Sequence, residues 1–176
     1  MPLTVRTAAA EDAPAIVQLV ERAFRGESSR RGWTTEADML GGQRTDHEAV
    51  LASISSPRER FLLAFDGPAL VASVLVRDEG AGTAYLGMLA VEPGLQGHGS
   101  GRALVAEAER AAAEAGASVM RMTVIAQRPE LIAWYERLGY TRTGEREPFP
   151  YGNPRYGIPR RDDLYFVVLK KALRDR

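Results

Sequence analysis

Glycines occupy alternate positions 97, 99 and 101 in the stretch VEPGLQGHGSGRALVAEAERAA (91–112), just ahead of an alanine-rich amphipathic run. Removing Cβ atoms at a strand-to-helix junction lets successive N–H groups close around an anion, and the helix dipole adds to the attraction. A phosphate-binding turn is the chemistry this spacing suits; a tight turn that needs only positive φ is the plain alternative. Other motifs fail on the letters. The P-loop spacing from Gly94 to Gly99 is followed by Ser100 and no lysine. The dinucleotide fingerprint needs a third glycine where Arg102 or Leu104 stands. Ser100 has His98 and Arg102 two places away, so it is no nucleophile elbow. With no cysteine in the chain, disulfides, thiolate metal ligands and a cysteinyl acyl-enzyme are excluded. His47 and His98 are the only histidines, which gives no basis for a histidine-rich zinc site, and no metal is expected.

What fits is Gln96-x-x-Gly99-x-Gly101, directly after a run ending LAVEP. This resembles the acyl-CoA signature of the GNAT family of N-acetyltransferases, Arg/Gln-x-x-Gly-x-Gly/Ala. A second stretch, RPELIAWYERLGY (128–140), looks like that family's late helix, with Trp134, Tyr135, Gly139 and Tyr140 in register. The resemblance extends over about residues 3–170. It implies acetyl-CoA as cosubstrate and no metal. Its pyrophosphate would lie on Gln96, Gly97, His98, Gly99, Ser100, Gly101 and Arg102, and its pantetheine arm along Leu89, Ala90 and Val91. Arg102 also reads as an ordinary exposed helix residue. Arg128 departs from the family's usual asparagine; arginine is a poor cap but can reach a phosphate or an acidic substrate, so it joins the candidate donor-binding set.

The resemblance also implies a role for Tyr135 as proton donor to the departing CoA thiolate. A phenol of pKa about 10 can serve a thiolate whose acid lies near 8.5 with a modest uphill bias. Spacing alone reads Tyr135 as a core residue, sharing a helix face with Leu131 and Leu138. A backbone N–H on GMLAV would meet the oxyanion, with Gly87 permitting a bulge or a close approach. No carboxylate stands on that strand before Glu92, so the base is open; Glu36 and Asp38 are candidates beside their reading as solvated loop acids. Trp33, Glu36 and Tyr151 are candidate acceptor contacts, with Phe149, Arg155 and Tyr156 as further guesses.

Positioning these residues needs the following elements. Strands are expected at 3–6, 61–65, 70–76, 84–91, 118–126, 140–143 and 164–169, the short links among the second to fourth making them antiparallel neighbours. Helices are expected at 11–24, 47–54, 99–115 and 129–138, with a shorter one near 36–40. A full helix separates 84–91 from 118–126, so those strands run parallel. Residues 145–163, rich in Pro, Gly, Arg and aromatics, read as a long loop that is either functional or disordered. The family fold this implies is α/β, more strictly α+β: a mixed, mostly antiparallel sheet of about seven strands flanked by helices, splayed between the fourth and fifth.

At 176 residues and 45% hydrophobic, the chain suits one domain over residues 1–176. A formal net charge of +0 gives no bulk attraction to nucleic acid or anionic membrane, and no run approaches the roughly 20 apolar residues of a membrane span. A soluble, cytoplasmic enzyme is expected, monomer or homodimer, acting on a small-molecule amine. The rivals are a protein N-terminal or lysine acetyltransferase, a catalytically idle acyl-CoA sensor, and a nucleotide-binding module.

Overall fold

In the run FLLAF, successive side chains take opposite faces of a strand, and that alternation divides the core in two. Phe61 and Leu63 pack with Ile16, Leu19 and Val20, while Leu62 and Ala64 pack with Leu104, Val105 and Ala108. The sheet therefore carries helices on both faces. The structure, a computed structural model, describes residues 3–25, 29, 35–154 and 157–173.

Seven strands form the main sheet, in the order β1 (Thr4–Thr7), β3 (Glu59–Asp66), β4 (Ala69–Gly80), β5 (Thr83–Val91), β6 (Val119–Ile125), β9 (Tyr165–Ala172) and β7 (Thr141–Pro148). Neighbours run antiparallel except β5 and β6, which are parallel, as the intervening helix requires. A small second sheet pairs β2 (Leu40–Gly41) with β8 (Ile158–Pro159).

On one face lie α1 (Ala13–Phe24) and α2 (His47–Ser55), the latter capped by Asp46, which accepts from the Ala49 amide at 2.7 Å. On the other lie α3 (Ser100–Glu114) and α4 (Pro129–Arg137). Both end in a left-handed glycine: Gly116 at φ +101 and Gly139 at φ +102. The amides of Ala117 and Tyr140 then reach back to Ala112 O at 2.9 Å and Tyr135 O at 3.2 Å, so the turn satisfies otherwise orphaned carbonyls.

Two expected elements take other forms. The short helix near 36–40 is a single turn, closed by Leu40 N to Glu36 O at 2.8 Å, which delivers the chain into β2. The long 145–163 loop is partly strand: β7 runs on to Pro148 and β8 closes on β2. Its sequence, TRTGEREP, lacks apolar alternation because it forms an exposed sheet edge with a register shift between Arg142 and Arg146. Arg155, Tyr156 and Trp33 lie outside the described residues.

Candidate active site

β5 and β6 pair only at Thr83–Val119, Ala84–Met120 and Tyr85–Arg121. Beyond Tyr85 the strands part, leaving one edge of β5 without a β6 partner. Polar backbone groups on such an edge need ligand or water. A cavity of about 1060 Å³ opens there, reaching from the glycine turn to α1 and α4.

Met88 sits at φ +51, within a register shift in which Ser73 faces Ala90 and Leu75 faces Gly87. The bulge expected at Gly87 is thus carried by Met88. At Gly87 it is the other alternative, a close approach, that requires glycine: a Cβ there would lie 2.8 Å from Cε1 of Tyr85. The bare backbone lets the Tyr85 ring fold across it, and its hydroxyl meets Thr123 Oγ1 at 2.9 Å. Arg77 and Arg121 lie over that ring, 4.5 and 5.4 Å from its centroid. Of the three strand residues assigned to pantetheine, Leu89 and Val91 line the cavity, whereas Ala90 is fully buried against the α1 side.

The three glycines do different work. Gly97 at φ +90 and Gly99 at φ +85, the cap of α3, take backbone that L side chains disfavour, with open space where a Cβ would go. Gly101 is a close approach: its Cβ would lie 3.3 Å from Val91 Cγ2 and 3.6 Å from Trp134 Cη2. Gln96 donates from Nε2 to Val91 O at 3.1 Å, tying the turn to the end of β5. Gln96, Gly97, Gly99, Ser100, Gly101 and Arg102 all line the cavity. His98 does not; its Nδ1 lies 3.0 Å from Leu95 O and its ring borders a smaller hollow with Leu3 and Asp66.

Tyr135, 6% exposed, lines the same cavity from α4. Trp134 and Tyr140 meet its ring edge-on at 5.0 and 5.9 Å. Burial pushes its phenol well above the usual tyrosine range; nearby Arg128 opposes that shift and Tyr85 adds to it. The group therefore holds its proton at neutral pH.

The cavity wall also carries a buried charge cluster. Glu36 bridges Arg25 at the end of α1, through Oε1, and Arg128 at the start of α4, through Oε2 at 3.6 Å. Arg128 also approaches Glu130, with Nε 3.8 Å from Oε1. Arg128 is thus drawn toward Glu36 and Glu130, a placement its family position did not suggest. Asp38 is exposed and off the cavity wall. Tyr151 is likewise not on that wall: its hydroxyl donates to Arg161 O at 2.9 Å and accepts from the Leu164 amide at 2.8 Å. It packs on Phe149, which does line the cavity.

Sequence reasoning missed Arg25, the Tyr85–Thr123 pair and the Met88 bulge. Each depends on partners far along the chain, and only the glycine two places after Tyr85 carried a local signal.

The fold matches solved structures widely. The ribosomal-protein-S18-alanine N-acetyltransferase from Escherichia coli superposes with TM-score 0.72 at 18% identity, covering 99% of this chain and 96% of that one. yncA from Salmonella typhimurium, solved with its cofactor acetyl-CoA, gives 0.71 at 19% identity, covering 100% and 96%. An N-acetyltransferase from Staphylococcus aureus Mu50 gives 0.74 at 11% identity, covering 98% and 99%. At these identities the likeness is one of fold. No curated protein sequence matches the chain significantly. The model of the acetyltransferase (GNAT) family, however, matches residues 15–140, spanning β3, β4, β5 and the glycine turn through α4, and the chain belongs to that family.

Proposed function

We propose that the protein transfers the acetyl group of acetyl-CoA to a primary amine by direct attack. The observation that carries this reading is the position of Tyr135, a buried phenol on a cleft wall that also presents the open edge of β5 and the glycine turn. Acetyl-CoA supplies an activated acyl carbon and a thiolate leaving group. Amides of the turn at 97–101 and the α3 dipole would hold its pyrophosphate, with Arg102 adding charge. The β5 edge at Leu89 and Val91 would take the pantetheine amides, and a backbone N–H at the Met88 bulge would meet the charge gathering on the acyl oxygen. As the C–S bond breaks, Tyr135 Oη–H gives its proton to sulfur.

Three carboxylates line the cavity among the described residues, and each meets an arginine: Glu36 with Arg25 and Arg128, Glu59 with Arg77 at 3.6 Å, and Glu130 with Arg128. The amine is therefore read as entering neutral and losing its proton to water in the cleft.

Tyr135→Phe tests the assignment: kcat for thiol release should fall about 10²- to 10⁴-fold, with acetyl-CoA affinity within about threefold of wild type. Unchanged turnover removes Tyr135 from the chemistry. Acetyl-CoA binding with no thiol release for any amine would favour the idle-sensor reading.

A further inference from the structure

The acceptor end of the cavity has a chemistry of its own. Among the described residues lining the whole cavity, six are arginines and three are glutamates, in a chain whose formal net charge is +0. Arg77 is matched by Glu59, and Arg102 follows the glycine turn. Arg25 and Arg128, just after α1 and just before α4, also line the cavity and are only 5% and 1% exposed. Glu36 reaches each through one oxygen and one Nη1, a bridge that ties both guanidiniums to one carboxylate on the wall. Gly157 leaves room for this packing: a Cβ there would lie 3.0 Å from Nη2 of Arg25. Burying such a cluster costs more than filling the same volume with apolar side chains. Paired guanidiniums are the side chains best shaped to receive a carboxylate in two-point geometry.

Beside them the wall turns apolar. The Leu40 amide donates to Glu36 O at 2.8 Å and the Arg128 amide to Ile125 O at 3.0 Å; Leu40 and Ile125 belong to one cluster with Phe149 and Phe166. Arg128 caps the start of α4 and Tyr135 stands seven residues further along, about 10 Å away by helical rise. The sequence of groups from phenol to sulfur, acyl carbon, amine nitrogen, carboxylate and guanidinium fits such a span.

We propose that the acceptor is a primary amine bearing a carboxylate and an apolar side chain, an apolar α-amino acid, with its carboxylate received by Arg25 and Arg128. Glu36 is the positioning residue that orients both. This rests on the acetyl-transfer reading above, and the test separates the two.

Acetyl-CoA binding is first measured calorimetrically on the full chain. Its absence refutes the donor reading. Thiol release is then compared for matched amines: L-leucine, leucinamide and 3-methylbutylamine; L-phenylalanine and phenethylamine. The carboxylated member should be preferred by tenfold or more in kcat/KM. Equal or better use of the neutral amines overturns the proposal while leaving acetyl transfer intact. Arg128→Lys, which keeps the charge and removes the fork, should raise KM for leucine at least tenfold more than it raises KM for 3-methylbutylamine. An equal loss for both amines also overturns it. Where no amine turns over, N-acetyl-L-leucine and N-acetyl-3-methylbutylamine are titrated into the protein with and without CoA. Binding of the carboxylated product alone supports the proposal; binding of neither, or equally of both, refutes it.

Discussion

Tyr85 and Gly87 show how one missing Cβ can matter without any backbone constraint. Gly87 is not at positive φ, and the only obstacle to alanine is the edge of the Tyr85 ring, 2.8 Å from the added carbon. Gly87→Ala must push that ring off Thr123 Oγ1 and disturb its place beneath Arg77. Overpacking of this kind costs about 1–3 kcal/mol. Removing the ring should remove the clash, so Tyr85→Ala/Gly87→Ala should be more stable than the sum of the single losses predicts, a coupling read from urea unfolding. Additive losses would mean the glycine serves something other than the ring. The phenol of Tyr135 sets a second expectation. An acid whose pKa lies above the usual 10 stays protonated as pH rises, while the amine acceptor gains neutral fraction tenfold per unit toward its own pKa near 10. The rate should therefore climb from pH 7 to 9.5 with no falling limb; a fall below pH 9.5 that disappears in Tyr135→Phe would contradict the buried, proton-holding phenol.

The glycine turn separates two requirements that the letters could not. Gly99 is needed for its φ of +85 at the cap of α3, whereas Gly101 has ordinary backbone and a packing contact of 3.3 Å. Gly99→Ala forces an L residue into left-handed backbone at about 1–2 kcal/mol and shifts the amides around it. Acetyl-CoA affinity should fall tenfold or more, while Gly101→Ala, relieved by a small movement of Val91, should lose less than threefold. Equal effects would show that space, not backbone conformation, governs the turn. This distinction marks how far elements could be read in advance. α1, α3 and β3 to β6 announced themselves because apolar side chains repeat at the period of the element, and Gly116 and Gly139 marked two helix ends. The length of β7 did not, because an exposed edge of alternating charges has no apolar period. Nor did the pairing of β2 with β8, two residues each and 117 positions or more apart in sequence. The bulge at Met88 is set by register against β4, which no single strand's sequence records.

At the scale of the whole molecule, the glycine-turn end of the cavity is built by a short contiguous motif that the letters display, while its other end draws on α1, the turn at Glu36, α4 and the β7–β9 region. Those residues meet only once the sheet has formed. No helix among the described residues is long and apolar enough to cross a membrane. The same sheet and helices bury two phenols, and this ties folding to alkaline pH. Tyr135 is raised by burial, and Tyr140 is raised by burial first and then by Glu109, whose Oε2 accepts its hydroxyl at 2.8 Å. In the unfolded chain both titrate near pH 10. Below that pH both states keep their protons and the burial contributes fully. Above it the unfolded chain releases protons that the folded one retains, so stability falls as pH rises toward the folded values, by about 1.4 kcal/mol per unit for each phenol. Thermal midpoints should therefore be level from pH 8 to 9.5 and drop above pH 10. Tyr140→Phe leaves Glu109 its contacts to Lys171 at 2.9 and 3.1 Å, so the fold retains that link between α3 and β9. The variant should start somewhat less stable and then decline less steeply, by one proton's worth of slope. An alkaline slope identical to wild type would mean that the Tyr140 phenol already ionises as freely in the folded protein as in the unfolded chain.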